Sequence, residues 1–199
     1  AVLPFSLGAA IDSAFAQSDD QVRTSVSVGV WIAWGLVLGS SIIRRPWGLT
    51  IMRILAPATV PTLLVTHWSA TMPAGALAIA LSHAVLVSLL ALLPETGHLM
   101  VDGLSYGDEK RFLLRVPTAV LFGPLPLVWA ITVSGIFSGP ILVTSGRWGV
   151  GLPLWGIGWT LAVFATRSMH QLARRWIVFV PNGFVIHDYL ATREPFLLR

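Results

Sequence analysis

Long apolar stretches alternate with short polar connections along the chain. Five stretches are long enough to cross a bilayer as helices, because a hydrocarbon core of about 30 Å takes roughly 20 helical residues. They run over residues 25–43, 54–71, 74–93, 116–137 and 148–166. Residues 1–16 are also apolar, and we interpret them as the outer end of a further helix that emerges near Asp12. The pattern predicts an all-α integral membrane protein, a bundle of five transmembrane helices plus part of a sixth at the N-terminus.

The basic residues are distributed unevenly between the two sides of the predicted membrane. If successive connections alternate sides, eleven of the 13 Lys and Arg residues share one side, and only Arg23 and Arg147 lie opposite. The eleven are Arg44, Arg45, Arg53, Lys110, Arg111, Arg115, Arg167, Arg174, Arg175, Arg193 and Arg199. Cytoplasmic loops carry an excess of Lys and Arg, so the 94–115 connection and the C-terminus are predicted to be cytoplasmic. We expect a multi-pass protein of the bacterial cytoplasmic membrane.

Composition agrees with a lipid environment and excludes several kinds of site. The 199 residues are 55% hydrophobic and 11% charged, with a mean hydropathy of +0.76, whereas soluble domains are about 25% charged. The net charge of +4 comes from residues at helix ends, so we expect the lipid bilayer, and not nucleic acid, as its partner. The chain has no cysteine, which excludes disulfides, thiolate metal sites and cysteine nucleophiles.

Two glycines in the first spanning stretch suggest a packing face. Gly35 and Gly39 lie four residues apart, on one side of the predicted helix. Small residues at this spacing let helix backbones approach closely in a membrane. We therefore predict that Gly35 and Gly39 sit at a helix–helix contact.

Proline pairs interrupt two of the predicted spans. Pro57 and Pro61 lie inside the second stretch, and Pro124 and Pro126 lie near the inner end of the fourth. Each pair predicts a kink, because proline removes a backbone donor and clashes with the preceding turn. Two kinks on the same side would create a shallow cavity that faces the cytoplasm.

His83 lies near the middle of the third stretch, where an ionisable group is costly. We expect it to face protein and to be neutral at pH 7. Three roles are open: a hydrogen bond between helices, a proton relay, and ligation of a metal or haem.

The polar 94–115 connection carries most of the other titratable groups. Glu95 and His98 have the i, i+3 spacing of carboxylate-bridged metal sites, but Pro94 and Gly97 predict that this segment is not a regular helix. The candidate functional residues on this side are His98, Asp102, Asp108, Glu109 and His170. Their spacing does not arrange a nucleophile, a base and an orienting group, so we assign no catalytic residue, metal ligand or cofactor.

Beyond residue 166 the pattern changes to that of strands. Two segments with a strand-like pattern, 176–180 and 184–188, flank a turn that contains Asn182-Gly183, a pair that favours a tight hairpin. We predict a short cytoplasmic β-hairpin in a segment over residues 173–199, part of an incomplete module, after a transmembrane domain over residues 1–172. Both faces are apolar, so we expect cover on both from the 94–115 connection, the bilayer surface or a partner.

Three stretches together resemble a known group of proteins. They are Asp102-Gly-Leu-Ser-Tyr-Gly-Asp-Glu-Lys-Arg-Phe112, the segment with Val116-Pro117 and Gly123-Pro-Leu-Pro126, and Arg174-Arg-Trp-Ile-Val-Phe-Val-Pro-Asn-Gly-Phe-Val-Ile-His-Asp188. They are similar to uncharacterised actinobacterial polytopic integral membrane proteins, and the likeness runs through most of the chain. The final hairpin also resembles the opening strands of bacterial pleckstrin-homology-like domains. The resemblance implies a membrane protein and carries no activity.

The sequence leaves three functions open. The first is a non-catalytic accessory or scaffold subunit of a larger membrane complex, or an anchor for a cytoplasmic module, with other membrane subunits or a second copy as partners. The second is a small transporter or channel component with a site near His83. The third is a membrane enzyme with its site at the cytoplasmic face.

Overall fold

The computed structural model describes residues 4–16, 18–69, 72–105, 107–188 and 196–198. After a π-helical stretch, Pro4–Gly8, the helices are α1 (Ala9–Ala14), α2 (Asp20–Ile42), α3 (Pro46–Ser69), α4 (Ala74–Leu92), α5 (Pro94–Asp102), α6 (Thr118–Phe122), α7 (Pro124–Thr144) and α8 (Trp148–Ala173). The strands are β1 (Lys110–Leu113), β2 (Trp176–Val180), β3 (Gly183–His187) and β4 (Phe196–Leu198).

Five helices, α2, α3, α4, α7 and α8, are long and apolar enough to cross a membrane. This confirms the predicted class, a mostly helical membrane-embedded protein. Two of these helices, α2 and α3, begin earlier in the chain than predicted. Asp20 starts α2, and Pro46 starts α3 because a proline is well tolerated in the first turn, where its missing N–H needs no partner. α3 continues unbroken through Pro57 and Pro61.

The predicted fourth span, residues 116–137, is wrong in its boundaries. Gly123 interrupts it with φ −98° and ψ −104°, which separates the short α6 from α7. Pro124 then begins α7, so the proline pair starts a helix and does not kink one. The spanning segment is displaced along the chain and ends at Thr144.

α7 and α8 form the closest helix pair, and glycines make the approach possible. A Cβ atom on Gly135 would overlap the backbone oxygen of Gly158, and one on Gly139 would overlap the backbone of Trp155. The Trp159 indole of α8 donates a hydrogen bond to the Ile136 carbonyl of α7 at 3.2 Å, which also stabilises this interface. Gly135 and Gly139 have the small-residue spacing that allows backbones to meet in lipid.

Gly35 and Gly39 have the same spacing but a different environment. A Cβ atom on either would meet nothing within 4 Å among the residues that the structure describes. The helix contact that we predicted there is therefore absent within the described chain. α2 instead approaches α3 near its end, where a Cβ on Gly48 would lie 3.0 Å from the Ser40 oxygen.

The N-terminal segment packs at the end of the bundle opposite the sheet. Leu7, Ala10 and Ile11 are buried together with Leu63 of α3 and Ala80 of α4. The described part of the apolar segment 1–16 therefore packs against other helices of the bundle.

The strands form one antiparallel sheet in the order β1-β2-β3-β4. The predicted hairpin is present as β2 and β3, with Trp176 opposite His187 and Val180 opposite Gly183. That register places the turn at Pro181-Asn182, one residue earlier than predicted, because Gly183 already pairs as the first residue of β3. β1 comes from the 94–115 connection and pairs with β2, so the sheet draws on both sides of the proposed boundary at residue 172.

Candidate functional site

The sheet is joined to the helices by a small apolar core at one end of the bundle, which we call the sheet end. Leu49 of α3, Met100 and Val101 of α5, Leu113 of β1 and Ala173 of α8 are buried in one cluster. Trp176 packs against it from β2. Three helices and two strands therefore share one core, and the sheet cannot move far without disturbing the helix ends.

α5 forms a regular helix, which contradicts our expectation for Pro94 and Gly97. Pro94 occupies the first turn, where it is compatible with a helix. Gly97 is buried, and a Cβ atom there would lie 2.6 Å from Leu113 Cδ2 and 3.2 Å from Arg53 Nη2. A side chain at position 97 would therefore have to displace Leu113 and Arg53, and Gly97 does not break the helix.

His98 and Asp102, two of the candidate residues, both bind the free edge of β1. The His98 Nδ1 atom accepts the Leu113 N–H at 3.1 Å. An Asp102 carboxylate oxygen accepts the Arg111 N–H at 3.0 Å and the Ser105 hydroxyl at 2.9 Å. The two side chains lie one turn apart on α5, so their spacing serves a strand and not a metal ion.

These hydrogen bonds also affect the ionisation of Asp102. The Arg111 N–H and the Ser105 hydroxyl stabilise the carboxylate and hold the pKa of Asp102 below the ordinary value of 3.8. Asp102 is therefore an acceptor at neutral pH, which is unsuited to a general acid.

Arg53 is a functional residue that our sequence analysis treated only as a basic residue of the inner side. Its Nε atom donates to the Ala91 carbonyl at 3.4 Å, and the Thr96 hydroxyl donates to the Leu90 carbonyl at 2.6 Å. Carbonyls in the last turn of a helix lack partners within that helix and carry partial negative charge. Arg53 and Thr96 thus cap the end of α4. The signal for Arg53 is a charge inside an apolar span.

His170 lies on α8 and contacts α3. Its Nδ1 atom is 2.9 Å from the hydroxyl oxygen of Thr50, which is buried. The bond joins the two spanning helices close to the core around Leu49. The structure therefore places this candidate in a link between helices.

Arg175 and Asp188 form a buried ion pair that ties the start of β2 to the end of β3. Two parallel bonds of 2.7 Å join the guanidinium to the carboxylate, and each residue is 8% exposed. The bond to Asp188 raises the pKa of Arg175. Nearby, His187 stacks on Trp176 with 4.7 Å between ring centres, and burial lowers the pKa of His187. Sequence reasoning missed this pair because its partners lie 13 residues apart in a segment that we interpreted only as strands.

Glu109 and Asp108 have separate environments. Glu109 binds the Arg111 guanidinium at 3.1 Å, which holds the start of β1. Asp108 is exposed beside the turn at Gly107. Neither lies in a constellation with His98 and Asp102 that the hydrogen bonds of the described residues would support.

His83 differs from His98, Asp102 and His170, since it forms no hydrogen bond that joins two elements of the described chain. It is half-buried on α4, and its Nδ1 atom is buried without a hydrogen-bond partner among the described residues. The hydrogen bond between helices that we considered for it is not formed within that part of the chain.

One face of the sheet is left open by the residues that the structure describes. Phe112, Ile177, Phe179, Phe184 and Ile186 share this face by their register, and we call it the outer sheet face. Phe112 is 41% and Phe179 46% exposed, whereas Leu113 and Val178 on the opposite face are buried. Our expectation of cover on both faces is met by the described chain on one face only.

The chemistry of the sheet end is that of attachment. Within the described ranges, no group of three or more His, Asp or Glu residues is placed to hold a metal ion. The candidate residues His98, Asp102 and His170 each hold two elements together. No protein-family model, curated protein or solved structure matches the chain.

Proposed function

We propose that the protein is a non-catalytic membrane anchor, an accessory subunit that holds a small sheet at the cytoplasmic face and binds a partner subunit through the outer sheet face. The observation that carries the proposal is the contrast between the two faces of one sheet. One face is fixed to the ends of three helices through Leu113 and Trp176. The other presents apolar side chains, two of them aromatic and more than two-fifths exposed.

The position of the outer sheet face favours a protein partner over the bilayer. Alternate residues of a strand point to opposite faces. Because Leu113 and Val178 point towards the helix ends, Phe112 and Phe179 point away from them. A partner chain can bury this face, as sheets in folded proteins are covered by a helix or a second sheet.

Charge adds a condition on the partner. Lys110 pairs with Phe179 in the register, so it stands on the outer sheet face, and it is exposed. We expect an apolar patch with a carboxylate at its edge, because complementary charge fixes the orientation of an interface.

Photo-crosslinking in cells tests the proposal. A benzoylphenylalanine at position 179 should give one discrete adduct with another protein, whereas the same probe at Trp68, at the opposite end of α3, should not. Lys110→Glu should lower the yield at position 179, and Arg147→Glu, a charge reversal remote from the sheet, should leave it unchanged. Lipid adducts alone at position 179, or equal yields in both charge variants, would contradict the proposed partner.

A second candidate function rests on His83. A buried ring nitrogen without a described partner, in the middle of a spanning helix, is suited to accept a proton or a translocated ligand. In this case the protein would be a small transporter component. His83→Gln and His83→Leu should then abolish transport equally while the protein still folds. If the role is structural, the Gln variant should be tolerated far better.

A further inference from the structure

The outer edge of β1 is closed by side chains. The Leu114 N–H points towards β2 and donates to the Arg175 carbonyl at 2.9 Å. Because successive N–H groups of a strand point to opposite sides, those of Arg111 and Leu113 point away from β2. An edge strand leaves such groups unpaired unless something covers them. Here both are bound, Leu113 by His98 and Arg111 by Asp102.

We propose that α5 and β1 form a proton-sensitive latch, in which neutral His98 holds the Leu113 N–H and protonation of His98 releases it. An imidazole nitrogen accepts a hydrogen bond only when it carries no proton. In the bond to Leu113 the Nδ1 atom is the acceptor, so the proton of the neutral ring lies on Nε2. Imidazolium carries a proton on both nitrogens, and its Nδ1–H would point at another donor.

The latch acts on the core that joins the sheet to the helices. The side chain of Leu113, the residue whose N–H His98 binds, is buried in the cluster with Leu49, Met100 and Ala173. Its methyl group occupies the space that Gly97 leaves open. When the N–H loses its acceptor, a buried donor remains unpaired next to this core, which favours separation of β1 from α5.

The charges around His98 come from three elements. Glu95 and Asp102 lie on α5 itself, and Lys110 and Arg111 line a small cavity with His98 from β1. Glu109 binds Arg111 and offsets its charge. Arg53 of α3 reaches the same helix at Gly97. Asp102 lies one turn beyond His98 on the helix, and because its own pKa is held low it stays ionised in weak acid.

The response of β1 to pH needs no partner protein, so it is independent of the proposed function. Asp102 binds the Arg111 N–H at any pH near neutrality. His98 binds the Leu113 N–H only when its imidazole is neutral. Acidification therefore loosens the Leu113 end of β1 first, and the Arg111 end stays attached.

Hydrogen–deuterium exchange of the purified protein in detergent tests the latch. The protection factor of the Leu113 amide, corrected for the intrinsic pH dependence of exchange, should fall about tenfold between about pH 8 and about pH 5.5, the loss expected for one hydrogen bond. In His98→Asn the side-chain oxygen replaces Nδ1 as acceptor, so protection should stay high at both values. His187→Asn, which removes the histidine of β3, should keep the wild-type response.

Two results would overturn the latch. One is a Leu113 protection factor in the wild type that is the same at both pH values. The other is an equal fall in His98→Asn, which would assign the response to another group. His98→Leu, where it folds, should show low protection throughout, and the comparison of wild type with His98→Asn decides the question without it.

Discussion

Individual residues at the sheet end are used for attachment, and their environment explains why the sequence suggested chemistry there. Histidine and aspartate bind backbone N–H groups as readily as they bind metals or protons. His98 and Asp102 have specific hydrogen-bond partners, and in both cases the partner is an edge strand. A spacing of i, i+4 on a helix does not by itself reveal what lies opposite. Arg53 shows the reverse case, because it lies just outside the predicted span 54–71, and its charge falls within a spanning helix only because α3 begins at Pro46.

Gly97→Ala should destabilise the protein. The added methyl would lie 2.6 Å from Leu113 Cδ2, and overpacking of this kind costs about 1–3 kcal/mol. Thermal unfolding in detergent measures the effect. Gly149→Ala in α8 is the matched control, because a Cβ there meets nothing within 4 Å. Equal melting temperatures for the two variants would contradict the packing described for α5.

Asp102 should contribute stability that depends on pH with a definite sign. Its pKa is lower in the folded protein than the ordinary 3.8, so the folded state favours the carboxylate. The contribution is fully present above the unfolded pKa and is lost as the pH falls through the lower folded value. Denaturant unfolding of Asp102→Asn and its parent, both carrying His98→Asn to remove the proton response at position 98, should differ at pH 6 and converge in strong acid. A constant difference would argue against the carboxylate.

At the scale of elements, the long periodic segments were predictable and the connections were not. The five spans are evident from apolar length alone. The break at Gly123 was not, since the same Gly-Pro pair can kink a helix or begin one. β1 escaped detection because Lys110–Leu113 becomes a strand through pairing with β2, a segment more than 60 residues later. The hairpin was predictable because both of its strands and its turn lie within 13 residues.

The small-residue motif shows the same limit. Gly35 with Gly39 and Gly135 with Gly139 are indistinguishable in spacing, yet within the described chain only the second pair touches a neighbouring helix. Gly135→Leu should therefore destabilise the α7–α8 pair by about 1–3 kcal/mol or more. Gly35→Leu should leave the melting temperature of the purified monomer nearly unchanged. The opposite order of stabilities in detergent would show that the helix pairing is misassigned.

The buried ion pair belongs to the sheet as an element. Arg175→Met removes the guanidinium from the buried Asp188 carboxylate, and loss of one member of such a pair costs about 3–5 kcal/mol. The double variant Arg175→Met, Asp188→Leu should recover a large part of that loss, because no buried charge remains. Denaturant unfolding of the four proteins of this cycle measures the coupling. Additive effects would mean that the two groups do not interact in solution.

The whole molecule combines a membrane bundle with a sheet that is fixed at one end and open on one face. Most basic residues that the structure describes lie at the sheet end: Arg44 packs against Gly103, Arg53 reaches α5, and Arg175 directly precedes β2. The fold class followed from the sequence, whereas the outer sheet face could be recognised only once β1 and the register were known. Its partner is the central claim of the proposed function.

Labelling of a single cysteine at Phe179 tests that claim most directly, since the chain has no other cysteine. The rate of reaction with an impermeant maleimide would be compared in inverted native membranes and in the purified protein in nanodiscs of the same lipids. We predict slow labelling in native membranes, where the partner covers position 179, and fast labelling in nanodiscs, where it is absent. Equally fast labelling would show that the face is uncovered in the cell, and equally slow labelling would show that lipid covers it. Either result would contradict the proposed partner.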